Sequence, residues 1–341
     1  EFYFGETADQ IINCMNRTNG IITYKDLQSY KPIEKEPITF TYRDFIIHSM
    51  PLPSSGGITI ANILNQLENI DINSLGFHSS KHIHYMVESE RRAYSDRATY
   101  LGDEDFVNVP VDLLLSKEYA LQRFNSIESN NSTNSLEIYN SPVSVKHENN
   151  ETTHYSVADK YGNAVSVTTT LNGWYGNGIT VDGAGFLLNN EMDDFSIKPG
   201  HPNAYGLVGN EANSIAPNKR MLSSMSPTIV ETPDKHLFLV LGSPGGSTII
   251  TTVTQIIVNI IDFKMELDQA VEAKRFHHQC LPDIIQLENY TLPIDVINKL
   301  QIMNHDLKYR SSIGEANCIM LKNNIFYGSA DSRRNASALA Y

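Results

Sequence analysis

A polar stretch in the middle of the chain does most to constrain how the protein folds. Residues 125–151 are rich in asparagine and serine, carry only scattered apolar positions, and predict a flexible linker. The pattern changes at Thr152, because polar and apolar residues then alternate in the way typical of a β-strand. The chain is therefore divided into two segments, with a hydroxyl residue at the start of the second.

Thr152 has a specific chemical use if the Glu151–Thr152 bond is cut. The threonine then starts a polypeptide and carries a nucleophilic hydroxyl and a free α-amine on one residue. An α-amine has a pKa of about 7.7–8.0, so its unprotonated fraction accepts the hydroxyl proton near neutral pH. Before cleavage that nitrogen is an amide, and we expect the uncut chain to be inactive. From the residues alone, a threonine that simply begins a strand remains an alternative.

Composition and charge argue against several other classes of protein. The chain has 341 residues, of which 41% are hydrophobic and 19% charged, and this predicts a compact fold with a sizeable core. Its net charge of −13 argues against a nucleic-acid partner, because phosphate binding needs a basic surface. The longest apolar run, 249–263, is too short and too polar to span a membrane. Cys14, Cys280 and Cys318 are too scattered for a disulfide framework or a CxxC metal site, and predict buried thiols.

Periodicity along the chain predicts both helices and strands. Helices are expected at 6–18, 23–30, 58–68, 80–100, 247–263, 267–274 and 293–303, and strands at 38–50, 153–159, 163–171, 185–189, 226–231, 236–241, 317–321 and 325–328. The helix at 247–263 is apolar on most sides and should be buried. Strands clustered beside buried helices indicate stacked sheets covered by helices.

Several long motifs, in order along the chain, resemble those of the γ-glutamyltranspeptidase family. They are MPLPSSGG at 50–57, YLGD at 100–103, TTHYS at 152–156, LLNNEMDDFS at 187–196, PNKR at 217–220, LSSMSPT at 222–228 and GSPGGS at 242–247. The resemblance runs over essentially the whole chain. It implies an α+β fold, a four-layer αββα sandwich of the N-terminal nucleophile hydrolase type, that matures by cutting itself before the catalytic threonine.

The resemblance also implies how the chain is divided. Residues 1–151 match the C-terminal part of the family's heavy subunit and 152–341 match the light, catalytic subunit, and the two subunits pair with each other. The family's N-terminal portion, with an arginine that clamps the substrate carboxylate, has no counterpart here. We therefore expect a longer protein, because a sandwich lacking one part would expose apolar surface. Four arginines lie in segments that match other places, and we do not assign the clamp to them: Arg43, Arg91, Arg92 and Arg97.

Residue roles follow from the same resemblance. Thr152 is both the cleavage point, after Glu151, and the nucleophile, and Thr170 lies beside it and assists cleavage. Gly245 and Gly246 resemble the oxyanion hole, where one donor is typically worth about 10²–10³ in rate.

A γ-glutamyl substrate presents an α-amine and an α-carboxylate, and both need partners. The implied ligands are Asn172, Glu191 and Asp194 for the amine, and Ser223 and Ser224 for the carboxylate. Two carboxylates around one ammonium give charge-assisted hydrogen bonds. The loop at 199–210, which contains Tyr205, resembles the family's lid, and such a lid excludes water and favours small substrates.

The resemblance thus implies a γ-glutamyltransferase and glutathione hydrolase. Its substrates would be glutathione and other γ-glutamyl compounds, with water, amino acids or dipeptides as acceptors. It needs no metal or organic cofactor, and the expected location is the periplasm or the cell exterior. Two alternatives remain open: an acylase of the same fold that acts on bulkier amides, and a non-catalytic relative.

Other site patterns are weaker. The glycine pair Gly245–Gly246 lacks the Gly-Lys-Ser/Thr signature of a phosphate loop. The histidines at 82, 84, 277 and 278 lack the carboxylate or cysteine spacing of a metal site, and we expect them to be structural. A Gly-x-Ser-x-Gly elbow, the mark of one class of serine hydrolase, does not occur.

Overall fold

The computed structural model describes residues 1–139, 152–204 and 206–340. The helices are α1 (Glu6–Thr18), α2 (Tyr24–Ser29), α3 (Gly56–Leu67), α4 (Ser80–Tyr100), α5 (Val111–Leu115), α6 (Lys117–Asn125), α7 (Ser135–Ile138), α8 (Thr248–Ile261), α9 (Leu267–Glu272) and α10 (Ile294–Ile302). The strands are β1 (Ile38–Tyr42), β2 (Phe45–Ser49), β3 (Thr153–Ala158), β4 (Ala164–Thr169), β5 (Thr180–Val181), β6 (Phe186–Leu187), β7 (Thr228–Glu231), β8 (Leu237–Leu241), β9 (Phe276–His277), β10 (Ile285–Glu288), β11 (Leu307–Arg310), β12 (Asn317–Lys322) and β13 (Ile325–Ala330). Across the described ranges, no helix combines the length and apolar character needed to span a membrane.

The main sheet has six strands in the order β1-β2-β7-β8-β12-β13, and each neighbouring pair is antiparallel. The β2–β7 pair joins a strand that precedes Thr152 to one that follows it, in the register Ile47 opposite Val230. Both segments of the chain therefore build one sheet, and neither segment completes this sheet alone.

Helices cover one face of this sheet and a hairpin covers the other. Leu239 and Leu241 of β8 belong to the same buried cluster as Ile60 of α3 and Ile257 of α8. Val240, between them, is fully buried but lies outside that cluster, because successive side chains of a strand point to opposite faces. On this second face the hairpin β3–β4 packs against β8 and β12. The described residues thus form three layers in sequence: helices, the six-stranded sheet and the hairpin.

The outer face of the hairpin is only partly covered. Tyr155, Val157 and Val165 point away from the sheet and are each about half exposed. An uncovered apolar face of this kind is unusual for a sheet in the middle of a sandwich. The α+β fold predicted from the sequence is confirmed.

Helix α4 is unusual because it is buried on almost every side although it carries several charges. Glu88 accepts hydrogen bonds from Arg91 at 3.0 Å and from Arg92 at 2.6 Å, and Arg91 also pairs with Asp283, so two carboxylates balance the two arginines. The last two turns of the helix contain Tyr94 and Arg97, which contact residues of the candidate site described below.

Two sequence predictions need correction. The strand predicted at 38–50 is a hairpin, because Arg43 and Asp44 turn the chain with φ of 47° and 72°, without the glycine that usually marks such a turn. The predicted linker is not structureless throughout, because its described residues, 125–139, include α7 and two buried side chains, Ser135 and Tyr139. Residues 140–151 lie outside the described residues.

Candidate active site

The two threonines singled out in the sequence lie side by side at the open end of the β3–β4 hairpin. Thr153 pairs with Thr169 in the antiparallel register, so the residues next to them, Thr152 and Thr170, are neighbours in space. The Thr152 hydroxyl donates a hydrogen bond to Thr170 Oγ1 at 3.3 Å. Thr170 Oγ1 also accepts from the backbone N–H of Asn172 at 2.8 Å, which holds it in place. The strand pairing therefore produces the hydroxyl pair.

The histidine nearest to Thr152 does not contact the Thr152 hydroxyl. His154 is buried, and its ring nitrogens lie 2.8 Å from Thr168 Oγ1 and 3.1 Å from Ser156 Oγ. Burial lowers the pKa of His154 to about 4, so the ring is neutral at physiological pH. With both nitrogens engaged by other side chains, His154 supports the strand and does not act on the Thr152 hydroxyl.

A network of asparagines connects the hairpin to the acidic loop. Asn172 is buried, has a φ of 71°, and donates from Nδ2 to the Asn190 carbonyl at 3.2 Å. Asn190 in turn donates from its backbone to the Leu171 carbonyl at 3.1 Å and accepts at Oδ1 from Gly173 N–H at 2.8 Å. These contacts fix the position of the residues after Asn190 relative to Thr170.

Glu191 and Asp194 follow directly, on a single turn of 3₁₀ helix spanning Glu191–Asp194. Burial raises the pKa of both carboxyls, and Asp194 reaches about 7 because the charge of Glu191 adds to the effect of burial. The positive charge of Arg97 opposes this rise. A cation bound between these two carboxyl groups would lower their pKa values, because a nearby positive charge favours the ionised form of a carboxyl group. The pair therefore suits a positively charged ligand.

The serine pair is held by residues from the first segment. The Ser223 carbonyl accepts from the Ser55 N–H at 2.8 Å and from the Ser55 hydroxyl at 2.7 Å, and Ser223 N–H donates to the Pro53 carbonyl at 3.0 Å. The MPLPSSGG motif is thus the support on which the serine loop rests. Of the two serines, Ser224 is buried and Ser223 is half-buried.

Arg97 lies directly behind the serine pair. Its guanidinium donates to the Ser55 hydroxyl at 2.8 Å and to the Ser224 hydroxyl at 3.2 Å. Because an arginine only donates, Ser224 Oγ acts as an acceptor here and its own proton remains for another partner. Arg97 therefore places a buried positive charge beside an oriented hydroxyl, a combination that suits a carboxylate.

The glycine pair lies in the turn before α8. Gly245 has a φ of 135°, and its carbonyl accepts from Thr248 N–H at 3.1 Å and from the Thr248 hydroxyl at 2.9 Å. Tyr94 of α4 donates its hydroxyl to the Ser247 carbonyl, which fixes the far end of the turn. Because both ends of the turn are held by hydrogen bonds, the backbone N–H groups of Gly245 and Gly246 are held in fixed orientations.

Two cavities lie beside residues of the candidate site. An open groove of about 880 Å³ is lined by Thr152, by Pro244 just before the glycine pair, and by Trp174. A second cavity of about 660 Å³ is lined by Glu191 and Ser223. These two cavities have different lining residues: Thr152 and Pro244 line the groove, and Glu191 and Ser223 line the second cavity. Glu151 and Tyr205 lie outside the described residues.

A metal centre is not suggested by the histidines. Among the residues that the structure describes, His84, Glu88 and His305 are the one group close enough to share an ion. Arg91 and Arg92 both pair with Glu88, and these cations would repel a metal ion. His277 is hydrogen-bonded to the Thr251 hydroxyl and to Gln279, each at 2.8 Å, as a structural histidine would be.

Three site residues were missed in the sequence: Tyr94, Arg97 and Trp174. Tyr94 and Arg97 lie in the helix predicted at 80–100, whose charged residues are distributed all around the helix axis. A half-buried surface helix instead keeps its charges on one face, so this pattern was the one indication that the helix has an unusual role. Trp174 directly follows Asn172 and Gly173, and no helix or strand pattern in the sequence includes it. The sequence therefore gave no indication of its position.

Comparisons with known proteins are consistent across sequence and structure. The family model for gamma-glutamyltranspeptidase matches residues 1–341. The chain is 48% identical over 334 residues to a glutathione hydrolase proenzyme of Escherichia coli strain K12, a match that covers 98% of this chain and 57% of the relative. The chain thus spans a little over half the length of that curated relative.

Two solved structures are similar. One is a mutant gamma-glutamyltranspeptidase of Helicobacter pylori, with 56% identity and a TM-score of 0.52, covering 53% of this chain and all of the other. The second is a cephalosporin acylase of Bacillus halodurans, with 25% identity and a TM-score of 0.80, covering all of this chain and 59% of the other.

Proposed function

Because the chain belongs to the γ-glutamyltranspeptidase family, we propose that the protein is a γ-glutamyltransferase and glutathione hydrolase with Thr152 as its nucleophile. The single observation that best supports this is the Thr152–Thr170 hydroxyl contact at 3.3 Å, at the start of the strand that follows the predicted cleavage point. The groups around it suit a substrate that carries one amine and one carboxylate.

The reaction begins with self-cleavage. The Thr152 hydroxyl attacks the carbonyl carbon of Glu151 and its proton passes to the departing nitrogen, so that the C–N bond breaks and the α-amine of Thr152 is freed. Water then hydrolyses the resulting ester, which releases the Glu151 carboxylate and restores the Thr152 hydroxyl. Thr170, held by Asn172, supports the hydroxyl during this step. Afterwards the freed amine takes the hydroxyl proton when Thr152 attacks a γ-glutamyl amide.

The donor substrate is recognised by charge. Its α-amine binds Asn172, Glu191 and Asp194, and its α-carboxylate binds Ser223 and Ser224, with Arg97 behind them. Gly245 and Gly246 donate backbone N–H groups to the oxyanion of the tetrahedral intermediate. The amine of the cleaved γ-glutamyl amide leaves with the proton taken from the Thr152 hydroxyl, and a γ-glutamyl ester forms on Thr152. Water or another amine then accepts the γ-glutamyl group and restores the Thr152 hydroxyl.

The proposal includes two paired polypeptides, 1–151 and 152–341, after cleavage. Its support is that the β2–β7 pairing and the contact of Ser55 with Ser223 cross the proposed cut. Breaking one peptide bond would leave those contacts in place. Glutathione and related γ-glutamyl compounds are the proposed donors, amino acids or dipeptides the acceptors, and the periplasm or cell exterior the proposed location.

Replacing Thr152 tests the proposal. In the full-length protein, Thr152→Ala should remain one uncut polypeptide in denaturing electrophoresis and release no p-nitroaniline from γ-glutamyl-p-nitroanilide. Thr152→Ser keeps a hydroxyl and should retain both cleavage and measurable turnover, which separates loss of chemistry from loss of folding. Unchanged turnover by Thr152→Ala would show that the nucleophile is elsewhere. An uncut and inactive wild type would instead indicate a non-catalytic relative.

An acylase for bulkier amides is the second candidate, favoured by the TM-score of 0.80 to a cephalosporin acylase. Glutaryl amides distinguish the two, because they keep the carboxylate but lack the α-amine. The half-buried carboxyls of Glu191 and Asp194, whose pKa values are raised, would then have no cation to bind, which predicts poor turnover of glutaryl amides. Faster turnover of glutaryl-p-nitroanilide than of γ-glutamyl-p-nitroanilide would support the acylase.

A further inference from the structure

Two of the sequence motifs, YLGD and PNKR, have no part in the chemistry proposed above, and both contact one short turn, Glu211–Asn213. The carbonyl oxygen of Ala212 in this turn accepts a hydrogen bond from the Lys219 ammonium at 2.8 Å. Gly102 lies so close to the same oxygen that an added Cβ would be 2.2 Å from it. The two motifs therefore hold the turn between them.

The two motifs are also bonded to each other. The Asp103 carboxylate is buried and accepts from the Arg220 N–H at 2.8 Å. This bond joins the chain just after α4 to the chain just before the serine pair. Together with the contacts at Ala212, it fixes the turn relative to the serine loop.

The last residue of the turn, Asn213, bridges two parts of the candidate site. Asn213 is only 6% exposed, its Nδ2 donates to the Asp194 carbonyl at 2.7 Å, and its Oδ1 accepts from the Leu222 N–H at 3.0 Å. Its backbone carbonyl also accepts from the Ser196 N–H at 2.9 Å. One side chain therefore connects the acidic turn, which ends at Asp194, to the loop that continues into Ser223.

Such a bridge matters because an α-amino acid head group carries its amine and its carboxylate on one carbon. The ligands for the two groups must therefore keep one spacing, and a displacement of about 1 Å can cost about 10²-fold in rate. The asparagine amide suits this task because it donates through one atom and accepts through another. An alanine at position 213 would do neither.

From this arrangement we propose that Asn213 is a positioning residue that sets the spacing between the amine ligands and the carboxylate ligands of the donor. It thereby makes the site selective for acyl donors that carry both groups on one carbon. The inference rests on the proposed function and deepens it. Asn213 acts through the backbone of Asp194 and Leu222, and the YLGD and PNKR motifs hold it in place.

The first test separates donor binding from turnover in the full-length, self-cleaved protein. With γ-glutamyl-p-nitroanilide, Asn213→Ala should raise the donor KM about tenfold, the loss expected when one contact to a charged group is misaligned, and change kcat less than twofold. Asn65→Ala is the matched control. Asn65 is 1% exposed, donates to the Leu115 carbonyl at 2.9 Å, and lines neither cavity of the site. It should lower the melting temperature and leave KM and kcat as in the wild type.

A second variant displaces the turn without changing Asn213. In Gly102→Ala the new Cβ meets the Ala212 carbonyl oxygen, so the turn must shift, and the donor KM should again rise while kcat stays within twofold. Gly76→Ala is its control, because an added Cβ there would meet no atom of the described residues within 4 Å. Its KM should equal that of the wild type.

Competing ligands test the spacing itself. Glutamate carries both groups, whereas glutarate lacks the α-amine and 4-aminobutanoate lacks the α-carboxylate. In Asn213→Ala the inhibition constant of glutamate should rise about tenfold, as the donor KM does. The inhibition constants of the other two should change less than twofold, because each of them contacts one half of the site and does not depend on the spacing.

The two proposals fail in different ways. If the wild type releases no p-nitroaniline, the proposed function is overturned and the role of Asn213 with it. If hydrolysis proceeds but the donor KM is unchanged in Asn213→Ala and Gly102→Ala, the role of Asn213 alone is overturned. Equal weakening of all three competing ligands would overturn it as well. Failure of both variants to fold would assign Asn213 to folding and would also overturn the proposed role.

Discussion

Two regions of the candidate site differ sharply in burial. On the side that we propose binds the donor, Asn172, Ser224 and Arg97 are buried and held by hydrogen bonds from distant parts of the chain. On the other side, Trp174 and Arg334 stand in an open groove, with Trp174 60% exposed. A buried charge is costly unless its partners are fixed, so the enclosed side suits one invariant group. The open side leaves room for groups that vary in size.

The way each side is supported reflects this difference. The donor side depends on α4, whose Arg97 donates to both Ser55 and Ser224. The groove depends on the C-terminal segment, where Arg333 is anchored to Glu288 and Asp331. The two sides share the turn at Gly245, so changes there should affect both, and changes elsewhere should separate them.

The largest effect is expected at the shared turn. In Gly245→Ala the new Cβ would lie 2.5 Å from Thr248 Oγ1, at a φ of 135° that side chains avoid. If this turn holds the oxyanion donors, kcat should fall about 10²–10³-fold for hydrolysis and transfer alike. The two kcat values are measured in stopped assays that quantify glutamate, the product of hydrolysis, and the γ-glutamyl peptide, the product of transfer.

Gly162→Ala is the matched control for that variant. Gly162 also has a positive φ, of 88°, but an added Cβ would meet no atom within 4 Å. It should lower the melting temperature through backbone strain and leave kcat unchanged. Equal loss of kcat in both variants would mean that strain, and not the oxyanion geometry, explains the Gly245 result.

A change of pH should have a smaller effect, and it should alter kcat/KM for the donor only. Burial and the charge of Glu191 raise the pKa of Asp194 to about 7, so this carboxyl becomes protonated as the pH falls below that value. The protonated acid loses its attraction for the donor ammonium, and kcat/KM for the donor should fall up to about tenfold per pH unit below 7.

Asp194→Asn removes the titrating group while keeping a polar side chain of the same shape. It should lower kcat/KM at neutral pH and remove the inflection near pH 7, whereas the inflection from the Thr152 α-amine, near its reference pKa of about 7.7–8.0, should remain. The KM for the acceptor should not acquire the Asp194 inflection. Persistence of the lower inflection in the variant would assign it to another group.

The smallest effect is expected at Tyr94. Tyr94→Phe keeps the packing of the ring and removes the hydroxyl that donates to the Ser247 carbonyl. A hydrogen bond of this kind is worth about 0.5–1.5 kcal/mol, so kcat should fall about two- to tenfold with little change in the donor KM. Tyr161→Phe, at an exposed tyrosine, is the control. A change in KM without a change in kcat would contradict a role at the glycine turn.

Local patterns predicted most of the secondary structure. The helix predicted at 80–100 is α4, and those at 6–18 and 247–263 correspond closely to α1 and α8. The parallel pair β10–β11 was missed, because its strands lie on either side of α10 and are short. The turn at Arg43–Asp44 was missed because no glycine marks it.

The contact between the two threonines was predictable because they lie at adjoining ends of two consecutive strands. Thr152 and Thr170 were singled out from their position on two neighbouring strands and from the family motifs, and their hydroxyls are in contact. Arg97 was passed over as a clamp, yet its guanidinium reaches Ser224 across 127 positions of sequence. No periodicity in α4 indicates which of its buried charges faces the serines.

The sequence by itself determined the α+β class, the strand that begins after Thr152, and the order of the motifs, because each depends on neighbouring residues and on backbone preferences. The tertiary structure decided which buried arginine lies behind the serine pair, that Glu191 raises the pKa of Asp194, and that Trp174 and Arg334 share a groove with Thr152. Those properties arise from distances between residues far apart in the chain and from the exclusion of water, and neither exists until the chain has folded.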